Sequence, residues 1–204
     1  MGSEGRSFMK VWYTLFIYLW IQSITPGPNN LTCLYLGATY GFKGTRKFMT
    51  ASMLSLLAKS LLCGILNMLL ARYIPALVDY LKWFGAAYMV YLGWCMAKSG
   101  WQEDSQLTGQ QTESTYRSGI ILQLLNIKSW IASLSMFAVY VIPIDPRVTT
   151  IVWTTLVFFV IALISSIIWA LFGSALKKLI AKYKKPFGII MGLSLLYCAI
   201  TAVL

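Results

Sequence analysis

No helix can run unbroken through Thr25-Pro26-Gly27-Pro28-Asn29-Asn30, yet the residues on both sides of it are predominantly apolar. Proline has no backbone donor and its ring clashes with the preceding turn, so two prolines around a glycine open the helix here. Residues 11–24 alone would rise only about 21 Å at 1.5 Å per residue, short of a hydrocarbon core of about 30 Å. The helix has to resume, through 31–40, to reach the far side. Backbone opened at membrane depth is tolerated only where it is buried in protein or lines a wet cavity. Thr25, Asn29 and Asn30 offer side-chain partners, and the two asparagines stand where the second half-helix begins, a position that favours Asn as a cap. A helix start carries partial positive charge and free N–H groups, which suits a carboxylate. Thr25, Pro26, Gly27, Pro28, Asn29 and Asn30 are therefore the first candidate substrate-binding residues.

Composition puts the chain in a bilayer. Of 204 residues, 58% are hydrophobic and 11% charged, with a mean hydropathy of +0.70, against about 25% charged in soluble domains. Six apolar segments, about 8–40, 46–71, 75–98, 117–142, 149–176 and 184–204, each supply the roughly 20 residues of a span. The expected fold is an all-α integral membrane protein, one domain over 1–204, with helices 1 and 4 broken mid-membrane. The net charge of +11 does not point to nucleic acid, because the basic residues sit in short clusters between apolar runs. Ten of them, within 43–47, 98–117 and 177–185, oppose five on the other side: Arg6, Lys10, Arg72, Lys82 and Arg147. The positive-inside rule then predicts a multi-pass membrane protein with both termini outside. No cleavable signal is expected.

The two halves of the chain echo each other. Tyr80-x-Lys82-x-Phe84-Gly85 returns as Tyr183-x-Lys185-x-Phe187-Gly188, and Cys95 and Cys198 keep the same spacing of 103. A repeat of three helices is odd-numbered, so its second copy enters the membrane from the other side. The prediction is two inverted three-helix repeats, about 8–98 and 117–204, a common plan of secondary transporters.

The segment matching the first break holds Gln123, Asn126 and Lys128 among apolar neighbours. A lysine near mid-span is costly unless it pairs or faces water, so Lys128 is a candidate functional residue. Lys59 is a second intramembrane lysine, expected either to bind substrate or to face the bundle. Asn67 is expected to bond between helices.

Thr25-Pro26-Gly27-Pro28-Asn29-Asn30 followed by Gly41-Phe42 resembles the signature of the lysine exporter (LysE/RhtB) family of amino-acid exporters. Gly85-Ala86-Ala87-Tyr88 with Leu92-Gly93-Trp94 is similar to that family's third helix. Trp12 and Thr14, Gln123-x-x-Asn126-x-Lys128 and Tyr197-Cys198-Ala199 look closest to its cysteine and O-acetylserine exporters. The resemblance covers the whole chain and implies proton-driven export. Where many members carry Pro between the second-half Asn and Lys, this chain has Ile127, which predicts a gentler break in helix 4.

The expected function is export of a small neutral amino acid, cysteine- or O-acetylserine-like, with homoserine and threonine as alternatives. Its carboxylate would meet Asn29 and Asn30 with Lys128 as cationic partner, while Thr25 and Asn126 add hydrogen bonds. No histidine and no mid-membrane Asp or Glu is present to carry a proton. An enzyme is not expected, since no cluster of nucleophile and base lies in the spans. A thiol or redox carrier would need a cysteine on each broken helix; Cys33 is on the first and the fourth has none. A metal transporter would need carboxylates, histidines or paired thiols, so neither metal nor cofactor is expected. A non-transporting scaffold leaves the polar residues at both breaks unexplained. Glycine and alanine on the third helix allow close packing, compatible with a homodimer.

Overall fold

The computed structural model describes residues 3–70, 74–99 and 111–203, all helices and short turns. Arg72 lies outside the described residues, as do the side chains of Arg6, Tyr80, Lys82, Cys95 and Lys184. Part of the charge count and of the Tyr80/Tyr183 repeat therefore falls there. The elements are α1 (Ser3–Ile24), α2 (Pro28–Leu70), α3 (Ile74–Ser99), α4 (Gln111–Leu125), α5 (Ile127–Ser135), α6 (Val148–Ala175), α7 (Lys177–Lys182) and α8 (Lys184–Val203). A π-helical turn, Met136–Val141, prolongs α5. By length and apolarity α2 and α6 can each cross a bilayer, and the bent pair Tyr116–Leu125 and Ile127–Val141 is long and apolar enough for a third crossing if it forms one span.

A straight helix of 43 residues would be about 64 Å long, twice the hydrocarbon thickness. The chain reverses instead at Gly41, whose φ of 73° and ψ of 172° only glycine adopts readily. The arm 28–40 runs parallel to α6, from Asn29 beside Ser166 to Gly41 and Phe42 beside Ser174. The arm 42–70 returns along the same helix, so that Gly64 reaches Ile151. That arm in turn runs parallel to α4 and α5, with Phe48 at Gly119 and Ser60 at Ser133.

Two glycine contacts set the helix spacing. At Gly37 an added Cβ would fall 2.3 Å from the Ala170 carbonyl oxygen, and at Gly173 one would fall 2.1 Å from that of Leu34. Between α3 and α8, antiparallel, the Gly93 position lies 2.9 Å from the Gly192 carbonyl oxygen and the Gly192 position 2.7 Å from that of Gly93. The largest apolar cluster gathers Leu19, Leu56, Phe137, Ile151 and Phe158 from α1, α2, the π turn and α6.

The start of α6 is held from the preceding loop. Asp145 accepts from the backbone N–H and guanidinium of Arg147 and from the Thr150 hydroxyl at 2.6 Å. These donors hold its carboxyl well below the usual carboxylate range, the Arg147 hydrogen bonds most of all. A depressed folded value means that the stabilisation is complete above the unfolded value near pH 4 and is lost as pH falls below it. The pair is at the surface, so the effect is small. Asp145→Asn should lower Tm by about 2 °C or less at pH 7, with the gap to wild type shrinking steadily below pH ~4. A gap that widens in acid would refute the assignment.

Candidate functional site

The last carbonyls of any helix lack intrahelical partners, and at the end of α1 side chains from three other helices take them up. Ser23 O accepts from Asn30 Nδ2 at 2.6 Å and Ser165 Oγ at 2.7 Å. Ile24 O accepts from the Trp169 indole at 3.1 Å. Thr25 O accepts from Asn30 Nδ2 at 3.0 Å and Lys128 Nζ at 2.9 Å, and Pro26 O lies 3.4 Å from the same ammonium. Lys128 also donates to Thr25 Oγ1 at 2.7 Å. The ammonium thus sits at the negative end of the α1 dipole. Gly27 leaves room for it, since a Cβ there would lie 2.9 Å from Lys128 Cδ.

The asparagines do not cap their own helix as the sequence suggested. Pro28 is the first residue of α2 and Leu31 N–H bonds to Gly27 O, so Asn29 and Asn30 lie inside the first turn. Asn30 reaches back to α1; Asn29 reaches across to Ser166 at 3.1 Å and accepts from Ser52 at 2.6 Å.

At the second break α4 and α5 meet at 55° although Ile127 stands in the place of proline. Proline is not needed, because Asn126 takes an extended backbone (ψ 94°) and its side chain accepts from Ser129 N–H as an N-cap. The Trp130 indole donates to Leu124 O at 2.6 Å, as that of Trp169 does to Ile24 O. Both breaks are therefore closed by a tryptophan on a carbonyl of the preceding half-helix.

A hydrogen-bonded file joins the two breaks. Asn29 meets Ser52, Ser52 meets Gln123 Oε1 at 3.3 Å, and Gln123 Nε2 donates to Ser129 Oγ at 3.2 Å. Lys59 Nζ donates to the same hydroxyl and lies 5.5 Å from the Trp130 ring centroid. Lys59 is buried and faces the bundle. Asn67 bonds to Cys63 O of its own helix, so it does not link helices through that bond.

These elements border an open cleft of about 450 Å³, the space open to solvent included, with both half-helix starts on it, at Gly27, Asn29 and Asn30 and at Asn126, Lys128 and Ser129. A larger cavity of about 820 Å³ adjoins it, reaching Met89 of α3 and Tyr197 and Cys198 of α8. Gln22, Gly27, Asn126 and Lys128 border both. Among the described residues no group of three His, Cys, Asp or Glu could hold a metal ion.

The description of LysE type translocators matches residues 20–204, both breaks and all that lies between them. The chain belongs to the LysE family. LysE proteins are membrane transporters rather than enzymes. A cysteine/O-acetylserine efflux protein of Escherichia coli O157:H7 is 32% identical over 184 residues, covering 90% of this chain and 92% of its own length. The protein of that name from Escherichia coli strain K12 is 30% identical over 183 residues, with the same coverage. No solved structure matches the chain significantly.

In this LysE chain all ten predicted site residues lie together. Gly27, Asn29, Asn30, Gln123, Asn126 and Lys128 line the cleft, Thr25 accepts from Lys128, Pro26 and Pro28 border the adjoining cavity, and Lys59 donates to Ser129. The Lys128 ammonium bonds oxygens at the end of α1, an arrangement the sequence did not suggest. Sequence reasoning missed Ser52, Ser129, Ser165, Ser166 and Trp169. The one available signal was Ser165-Ser166 midway along the most apolar helix, where adjacent hydroxyls need partners.

Proposed function

We propose that this transporter exports small neutral amino acids from the cytoplasm across the bacterial inner membrane, driven by the proton gradient. The observation that carries the reading is the polarity of the cleft. Two helix starts, of α2 and α5, and one helix end, of α1, border it. The first-turn N–H groups suit a carboxylate and the α1 carbonyls suit an ammonium, so the site complements a zwitterion. Asn29, Gln123 and Asn126 offer hydrogen bonds, and Met53, Leu56 and Phe158 an apolar wall. A small uncharged side chain such as that of cysteine or O-acetylserine, or of homoserine or threonine, fits that lining. The efflux activity named for the relatives supports the same class.

Alternating access would follow from six spans in two inverted repeats. Helix directions favour this plan: the arm 28–40 lies parallel to α6 and its counterpart α4–α5 parallel to the arm 42–70, while α3 and α8 meet antiparallel and reciprocally. Proteoliposomes preloaded with labelled cysteine, O-acetylserine, homoserine or threonine should release at least one of them faster than protein-free vesicles. Retention of all four, and of every other amino acid tried, would sink the proposal.

A further inference from the structure

An exporter that runs on protons needs a group that binds and releases them, and the chain has no histidine and no mid-membrane carboxylate, Asp79 standing at the outer end of the 75–98 segment. We propose that Lys128 carries the coupled proton by competing with the substrate's own ammonium for the oxygens at the end of α1. The inference rests on the zwitterion site above and assigns its coupling group. In the structure Nζ donates to Thr25 O and Thr25 Oγ1 and lies 3.4 Å from Pro26 O. These oxygens lie where the negative end of the α1 dipole favours a cation, beside the lining residues Gly27 and Lys128. A substrate whose carboxylate lies on the starts of α2 and α5 brings its ammonium to the same oxygens. Two ammonium groups within about 4 Å disfavour each other strongly away from bulk water. The lysine yields: one Nζ–H bond breaks, the electron pair stays on nitrogen, and the proton passes to water in the cavity. When the substrate leaves on the outside, Nζ takes a proton there and returns to the carbonyls. The cycle moves one proton in for one zwitterion out, which is antiport.

Access supports this choice over Lys59. Lys128 is partly exposed and borders both cavities, so water reaches Nζ. Lys59 is 2% exposed and borders neither. The titratable and charged groups around Lys128 are few. Tyr197 and Cys198 of α8 share the larger cavity with it, and Lys59 of α2 lies beyond Ser129. On the side of α1, α2 and α3, Gln22, Asn29, Asn30 and Met89 border the cavities and do not titrate. Gly27 is required because the lysine stem crosses it.

The experiment follows protons and affinity in purified, detergent-solubilised transporter. Adding homoserine, or O-acetylserine if the efflux panel selects it, to weakly buffered wild type at pH 6.5 should release about one proton per bound amino acid, read with an indicator dye. Between pH 5.5 and 7.5 the apparent affinity should rise about tenfold per unit. Lys128→Arg, permanently charged, should release no proton and bind at least tenfold more weakly at every pH. Lys128→Gln should bind, at whatever strength, without pH dependence. Wild-type binding without proton release would overturn the inference, as would a Lys128→Gln protein that keeps the wild-type slope. Should Lys128→Gln not fold, the wild-type release and the Lys128→Arg comparison decide. Absence of wild-type binding for all four amino acids would instead refute the substrate site itself.

Discussion

Vesicles reconstituted with the double variant Asn30→Ala/Lys128→Ala are expected to release amino acids no faster than empty vesicles, at least 100-fold slower than wild type. The reason is the end of α1. Thr25 O has two donors, Asn30 Nδ2 and Lys128 Nζ, and the double variant removes both. Pro26 O loses its ammonium as well, while Ser23 O keeps Ser165. A buried carbonyl left unpaired costs about 1–3 kcal/mol, and water cannot substitute freely at membrane depth. Thr25 O is the part-buried one of the two and Pro26 O the exposed one, so the ~2.7 kcal/mol that a 100-fold change represents lies at the upper end of what losing both donors of Thr25 O costs. The single Asn30→Ala change leaves each carbonyl one donor, so a loss of about tenfold is expected from it. The measurement is the initial efflux rate per inserted protein, on variants that elute as a single species. Double-variant efflux within threefold of wild type would refute the site.

The second large effect is on folding. Gly37→Ala combined with Gly173→Ala should prevent accumulation of monodisperse protein. Both absent Cβ positions fall within 2.4 Å of backbone carbonyl oxygens, on Ala170 and Leu34, and no rotamer change can relieve a clash with backbone. The arm 28–40 and α6 would have to move apart. That movement would also stretch Asn29 to Ser166, Ser165 to Ser23 O and Trp169 to Ile24 O. Overpacking of a closed contact costs about 1–3 kcal/mol per site, sometimes more, and two sites on one interface reinforce each other. Ser194→Ala, a half-buried position of α8 whose hydroxyl donates to Ile190 O of its own helix, is the control and should behave as wild type. Normal yield and Tm for the glycine double variant would show that the helices do not approach as closely as this spacing requires.

The sequence exposed the breaks better than their wiring. Pro26, Gly27 and Pro28 forbid a continuous helix in any context, so the first break could be located without coordinates. The second was located by Gln123, Asn126 and Lys128, and it bends by 55° without a proline. An N-cap asparagine can end one helix and start another without proline, and that depends on Ser129 N–H being in reach. Lys128 was correctly set inside the protein, yet its partner was not readable. The ammonium bonds backbone oxygens 103 positions away, and main-chain acceptors leave no mark in a sequence. The same holds for Ser52 and Ser129, whose small hydroxyls look ordinary until the arm 42–70 is laid alongside α4 and α5. Asn29 and Asn30 show the opposite failure. A local rule gave them a capping role, but the proline ahead of them already occupies the first helical position.

The Gly93–Gly192 contact has a consequence for how such a chain can arise. Each glycine receives the other's carbonyl, so the contact is its own image under a half-turn. Self-complementary surfaces of that kind are what hold two-fold homodimers together. A half-length chain bearing one such glycine could pair with a second copy inserted the opposite way up. Fusing the copies turns a bimolecular encounter into an intramolecular one, so pairing no longer depends on how much of each orientation is made. It also releases the two halves from having to be identical. One break can then keep its prolines while the other is built from an asparagine and supplies the lysine that closes the first.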